Sequence, residues 1–336
     1  MIIKNLKKLC AILTIAITLT ACSSNTTNMK STESKDKTAT SEQTTKSTQD
    51  KETIKIPTTK EVVNTLCSDE FEGRLIGSKG NEKAKEYVSK IFKDIGLTPL
   101  FGDNYYHKYS QDIIKVYGGD EDTKVGTVDN VVGVIKGKDS KKAVVISAHF
   151  DHIGYQDGKL IRGALDNASG MSALIKLTND LKEKSKEKPF DMDIVICAFN
   201  GEEEGLAGSR SFVNEITSKS LYDNLYNINI DAICSKKGGK LALKNKSKVS
   251  DKLYDSMKNT LKKNNIEFAD TEVKGASDHM SFEDKNIPNF FFVQENIEDL
   301  VHKPTDTPDT LNYEQIDKIA NAVVDFVETN NGVMFN

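Results

Sequence analysis

Short apolar-rich stretches recur along the chain at Val131 to Ile135, Ala143 to Ala148, Ile194 to Phe199, Tyr226 to Ile230 and Asn289 to Val293. Their length and β-branched content predict strands, and the run Ala143 to Ala148 suits a strand covered on both faces. Segments with helical periodicity separate them. Asn81 to Asp94 carries Ala84, Tyr87, Val88, Ile91 and Phe92 on one face and is closed by Gly96. Further helices are predicted at Ser169 to Leu181, Leu206 to Ile216, Asp251 to Asn264 and Tyr313 to Val327. Strands alternating with helices of this length imply an α/β fold, with a mostly parallel central sheet and helices on both faces. The pattern runs from residue 57 to 336 as one domain. Phe101 to Lys124 is too short for an inserted domain, and the polar stretch Lys236 to Lys248 reads as a surface excursion.

The amino terminus follows another pattern. Lys4, Lys7 and Lys8 precede an apolar run from Leu9 to Thr20, well short of the roughly 20 residues that span a bilayer as a helix. Residues 1–21 therefore read as a signal peptide. Its end, Leu19-Thr20-Ala21-Cys22, resembles a bacterial lipobox, in which the cysteine is lipidated and becomes the mature terminus. Two or three acyl chains on Cys22 suffice for stable anchoring, so the expected location is the extracytoplasmic face of the cell membrane. Residues 22–56 are rich in Ser, Thr and Lys and nearly free of large apolar side chains. They read as a disordered tether.

Composition adds mainly exclusions. Lys+Arg 46 against Asp+Glu 50 gives a net charge of -4, with lysines scattered among acids. A nucleic-acid partner is not expected, because such proteins carry a clustered basic face. Cys10 and Cys22 belong to the leader. Cys67, Cys197 and Cys234 are too few and too dispersed for a disulfide framework. Cys197 sits within an apolar run and reads as a small buried hydrophobe.

Chemistry is concentrated where strands end. Ala148-His149-Phe150-Asp151, Ala164-Leu165-Asp166-Asn167, Gly201-Glu202-Glu203-Glu204-Gly205, Val301-His302 and Asn229-Ile230-Asp231 each place a metal-type donor at what reads as the carboxyl end of a buried strand. In open α/β sheets ligands bind beyond those strand ends. Each piece has a structural reading as well. Asp166 can be a helix N-cap, and the three glutamates a solvated acidic turn before a helix dipole. Yet consecutive carboxylates after a buried strand repel one another unless a cation or proton is shared. Asp151, two residues beyond His149, projects to the same side and is placed to orient that imidazole. Of the five histidines, His107 in its Tyr-rich loop reads as structural.

Together these segments resemble the co-catalytic di-zinc aminopeptidases of the bacterial leucyl aminopeptidase and aminopeptidase Y type, in the clan that includes glutamate carboxypeptidase. The resemblance rests on Phe71-Glu72-Gly73-Arg74 with Gly77-Ser78, on His149-Phe150-Asp151-His152, and on Gly163 to Gly170. It continues through Gly201 to Ser209, Asn229-Ile230-Asp231, Ser277-Asp278-His279 and His302 to Thr307. It implies a zinc-exopeptidase three-layer sandwich holding two Zn²⁺ and acting on peptide substrates. Asp166 would bridge the metals, with His149 and Asp231 completing one site and Glu203 and His302 the other. Glu202 would be the general base toward a water between the zinc ions, and Asp151 the orienter of His149. In several relatives a tyrosine precedes the last histidine and helps stabilise the oxyanion. Val301 stands there, so a metal or another donor must do that work. Glu204 reads as surface charge, Asp278 and His279 as support or pocket lining, and His152 as rim. Arg74 is assigned either to substrate or to its own loop.

The expected function is removal of N-terminal residues from peptides by a lipid-anchored zinc enzyme. Two alternatives stand beside it: a single-zinc aminoacyltransferase of the glutaminyl cyclase kind, and a non-catalytic surface binding protein on the same scaffold. The oligomeric state is not legible in the sequence.

Overall fold

The computed structural model describes residues 55–117, 123–244, 247–270 and 275–335. The expected leader (1–21), Cys22 and nearly all of the expected tether lie outside the described residues. In chain order the elements are α1 (Thr59–Leu66), α2 (Lys79–Ile95), β1 (Thr98–Pro99), β2 (Tyr106–Ile113), β3 (Lys124–Ile135), β4 (Lys142–His149), β5 (Tyr155–Gln156) and β6 (Lys159–Leu160). They continue with α3 (Ser169–Glu187), β7 (Asp193–Phe199), α4 (Ala207–Ser218), β8 (Asn224–Ile230), β9 (Leu241–Lys244) and α5 (Asp251–Lys263). The last four are β10 (Phe268–Ala269), α6 (His279–Glu283), β11 (Asn289–Gln294) and α7 (Tyr313–Thr329).

Among the described residues nine strands form one mixed sheet in the order β1-β3-β7-β4-β8-β11-β9-β10, with β2 also paired to β3. Its centre, β7-β4-β8-β11, is parallel throughout. The antiparallel pairings lie toward the margins, where β1, β2 and β7 meet β3 and β9 meets β11. Because the four central strands run the same way, their carboxyl ends share one edge. The register aligns His149 with Phe199, Ser147 with Asn229, and Ile230 with Phe292. The loops that follow these strands are therefore neighbours in space.

Period-two alternation sends the apolar side chains of the central strands to both faces of the sheet. Val144, Ile146, Ile194 and Ile196 pack with α1, α2, α3, α5 and α7 on one side. Val145, Val195, Cys197 and Phe199 pack with Phe212, Val213 and Ile216 of α4 and Phe282 of α6 on the other. Each face is covered by helices, and the polar side chains that the central strands carry, Ser147, Asn227 and Asn229, bond to one another. Cys197 is buried in this second cluster, as its sequence context predicts.

Helix boundaries follow local chemistry. The Ser78 hydroxyl accepts from Asn81 N–H at 3.1 Å to start α2, and Gly96 ends it in the left-handed region at φ 84°. Thr58 and Glu61 form a reciprocal capping box on α1. One expectation is corrected: the stretch Lys236 to Lys248 is not wholly a surface excursion. Its Leu241 and Ala242 are buried in β9, which pairs with both β11 and β10. Phe101 to Lys124 supplies β2 and adds to the sheet instead of forming a domain of its own. Among the described residues no helix is long and apolar enough to cross a membrane.

Candidate metal centre

His149 is the last residue of β4 and is almost fully buried. Its Nδ1 lies 3.2 Å from the Asp151 carbonyl oxygen. A carbonyl only accepts, so Nδ1 carries the hydrogen and Nε2 is left to face the cluster. That Nε2 stands 3.3 Å from Asp166 Oδ1 and 3.3 Å from Asp231 Oδ1. Asp151 thus meets His149 chiefly through its main chain, because its carboxylate is 3.5 Å from Nδ1. The carboxylate is occupied elsewhere. It accepts from Glu202 N–H at 3.2 Å and Glu203 N–H at 3.3 Å, which shapes the turn after β7.

Asp166 is the hinge of the arrangement. Its Oδ1 faces His149, while its Oδ2 lies 3.0 Å from His302 Nε2. The same His302 nitrogen is 3.0 Å from Glu203 Oε2. Asp166 is not the helix cap that its position also allowed. Asn167 fills that role, accepting from Gly170 N–H at 2.9 Å and donating to the Ile230 carbonyl at 3.0 Å. This ties the Asp166 turn to the end of β8, next to Asp231. From the other side Asp306 accepts from Leu165 N–H at 2.7 Å and Asp166 N–H at 3.3 Å. Ser277 donates to Asp231 Oδ2 at 2.7 Å.

Two donor sets result. His149, Asp166 and Asp231 offer atoms within 4.8 Å of one another, and so do His152, Asp166, Glu203 and His302. The five predicted ligand candidates are together, and Asp166 belongs to both sets. His152 corrects its reading as rim. It is fully buried, and its Nδ1 lies 2.8 Å from Glu203 Oε1.

Electrostatics tests whether cations fit. Burial opposes charge on His149, but Asp231, Glu202, Asp151 and Asp166 outweigh it and hold the imidazole well above its ordinary pKa. Burial likewise disfavours charge on Asp166, yet His149 and His302 hold it well below the usual carboxylate range. His302 is pushed up to about 10 by Asp166 and Glu203, against the effect of burial. Glu202 goes the other way: burial, then Asp231, Glu203 and Asp278, push its carboxyl well up. The carboxylates outnumber the imidazoles in a poorly solvated space, so the set demands positive charge. Divalent cations would supply it, and mixed imidazole and carboxylate donors would suit zinc.

Several residues receive definite places. Arg74 is buried and holds its loop, donating Nε to the Phe150 carbonyl at 2.7 Å, Nη1 to Leu66 at 2.7 Å and Arg162 at 2.8 Å, and Nη2 to Gly163 at 2.9 Å. His107 is structural, bonded to Asn130 and Glu215. Glu204 is half-buried, and burial with Asp151 and Glu203 nearby pushes it up to about 7. It is not simple surface charge. His279 stacks on Phe291 at 4.3 Å between centroids. Asp278 is fully buried, and neither carboxylate oxygen has a hydrogen-bond partner among the described residues. Burial foremost pushes it up to about 7. Sequence reasoning missed Asn81 and Asn200, whose side-chain amides pair reciprocally at 2.8 and 2.9 Å. It also missed Tyr117, whose ring stands edge-on to His302 at 5.7 Å.

Comparison with known proteins is consistent with this geometry. A profile of "Peptidase family M28" matches residues 130–327. Aminopeptidase YwaD of Bacillus subtilis (strain 168) is 27% identical over 206 residues, covering 59% of this chain and 43% of that protein. The chain spans less than half the length of the first curated relatives it matches. Among solved structures, BSAP, a zinc aminopeptidase from Bacillus subtilis, aligns with TM-score 0.67 at 17% identity, covering 82% of this chain and 96% of that one. A glutaminyl cyclase from Porphyromonas gingivalis aligns with TM-score 0.65 at 17% identity, covering 81% and 97%. At such identities these likenesses establish a shared fold.

Proposed function

As the chain belongs to peptidase family M28, we propose that it is a zinc-dependent aminopeptidase with two metal positions that share Asp166. The observation that carries this reading is the division of labour within one carboxylate, Oδ1 toward His149 and Oδ2 toward His302. His149, Asp166 and Asp231 would hold one ion, and Asp166, Glu203 and His302 the other. Bound there, a pair of zinc ions acidifies water and polarises the scissile carbonyl.

The chain's own residues do the rest. Glu202 is the general base. Its main-chain N–H is held by the Asp151 carboxylate, and its own carboxyl feels the charges of His149, Asp231 and Glu203. It accepts a proton from the attacking water and delivers it to the leaving amine. Adjacent Glu203 serves the other purpose, engaged by His302 and His152. Ser277 and Asp306 fix Asp231 and the Asp166 turn, so little reorganisation accompanies reaction.

Charge favours the amino end of a peptide over the carboxyl end. Arg74 and Arg162, from the adjoining loops, are already committed to main-chain carbonyls and to Asp69. The lipobox-like segment Leu19-Thr20-Ala21-Cys22 supports an extracytoplasmic, membrane-anchored enzyme acting on peptides.

Hydrolysis of free-amine peptides and their N-acetylated twins, with and without a chelator, tests the reading. Cleavage that requires both the free amine and the metal supports it. Cyclisation of N-terminal glutamine without hydrolysis would point to the transferase, and full metal content without turnover to a binding protein.

A further inference from the structure

A buried histidine normally satisfies both ring nitrogens. His107 does so, with Asn130 at 3.0 Å on Nδ1 and Glu215 at 3.1 Å on Nε2. His152 does not. Its Nδ1 meets Glu203 Oε1 at 2.8 Å, while Nε2 is buried with no hydrogen-bond partner among the described residues. The ring is held in place from several directions. Its main-chain N–H donates to the Arg74 carbonyl at 3.2 Å, and its ring packs edge-on against His302 at 5.4 Å. Gly163 lies so close that a Cβ there would come within 2.5 Å of the imidazole Cδ2. A ring nitrogen of this tightly packed side chain belongs, with Asp166, Glu203 and His302, to a set whose donor atoms all lie within 4.8 Å of one another, and Nδ1 is the nitrogen shown beside Glu203.

We infer that His152 is a fourth protein donor to the position formed by Asp166, Glu203 and His302, so that the two metal positions differ in kind. The inference rests on the two-metal reading above. Two imidazoles and two carboxylates give that position four protein donors, and zinc can expand to a fifth ligand for the water. The Asp231 position has one imidazole and two carboxylates, which leaves a place open for substrate. A second nitrogen donor also favours zinc over hard cations such as Mg²⁺. The His152 position therefore fills first and holds its ion, while the Asp231 position exchanges.

Zinc titration of the metal-free full chain in chelator-buffered solution, read as bound metal by mass spectrometry, tests this without reference to turnover. Wild type should load in two separate steps. His152→Gln should weaken the first step by about 10–100-fold or more and leave the second in place. Equal unfolding temperatures of the metal-free forms would show that the fold is kept, and His152→Asn provides a second variant. Spin-echo spectroscopy of a form loaded with one equivalent of Cu²⁺ separates ligation from mere orientation of Glu203. Two coordinated imidazoles in wild type and one in His152→Gln are expected. A single imidazole in wild type, or an unchanged first step in the variant, would overturn the inference alone. Failure of wild type to bind zinc would instead overturn the two-metal reading, and the inference with it.

Discussion

The Arg74 guanidinium donates to the Gly163 carbonyl at 2.9 Å, across 89 residues of sequence. Through its other bonds the same side chain fastens Phe150, Leu66 and Arg162. It thereby ties the loop that bears His149 and His152 to the turn that bears Asp166. Buried among carbonyls, the charge has main-chain dipoles as its partners. Arg74→Ala leaves those carbonyls unpaired and should cost roughly 3–5 kcal/mol of stability. Chemical denaturation of the metal-free chain measures it. Arg74→Lys should recover only part, because an ammonium cannot reproduce the fork.

Glu202→Gln should retain both metals and lose activity by about 10²–10⁴-fold in kcat. Metal content and steady-state kinetics on the same sample decide it. Loss of metal with loss of activity would recast Glu202 as a ligand.

Asp278 makes a pH prediction with a definite sign. Its carboxyl is raised from 3.8 to about 7 in the folded chain, foremost by burial. Between those values the folded state keeps a proton that the unfolded state has released, so stability falls as pH rises through the window. His302, raised to about 10, acts in the same direction above its ordinary 6.5. The metal-free chain should therefore be more stable at pH 5.5 than at pH 8. Asp278→Asn should flatten the slope and raise stability at pH 8 by on the order of a few kcal/mol. Denaturant titrations at the two pH values provide the comparison.

Tyr117 stands edge-on to His302, and burial, with Glu203 and its neighbours, pushes its phenol up to about 12. It remains a neutral donor near the centre, while Val301 offers no hydroxyl. Tyr117→Phe keeps the ring and removes the donor. A loss of about 10–100-fold in kcat with KM and metal content unchanged is expected if that hydroxyl meets developing charge. Unchanged kcat would assign Tyr117 to packing against His302.

How far the sequence could be read varied with the kind of interaction. Strands of the parallel centre were legible because burial on both faces forces an apolar run, as in Ala143 to Ala148. His149 and Asp231 stood out as polar side chains closing apolar runs, whereas the ligand roles of Asp166, Glu203 and His302 came from the family resemblance; Asp166 and His302 lie in turns and not at strand ends. Strand β9 was not legible, since only four residues form it and polar neighbours hide Leu241 and Ala242. The place of His152 depends on a loop held by Arg74 and Gly163, which no local pattern encodes. Asn81 and Asn200 meet across 119 positions, and an asparagine carries no sign of whether it lies buried or in solvent. Asp306 shows the same limit: its carboxylate pins the Asp166 turn, though alone it reads as one more acid in a polar segment.

The shared role of Asp166 is tested most directly by anomalous diffraction at the zinc edge from crystals of the zinc-loaded chain. Two peaks are predicted, one between Asp166 and the His149–Asp231 pair, the other between Asp166 and the Glu203–His302 pair. A single peak, or two peaks that do not both contact the Asp166 carboxylate, would contradict the account.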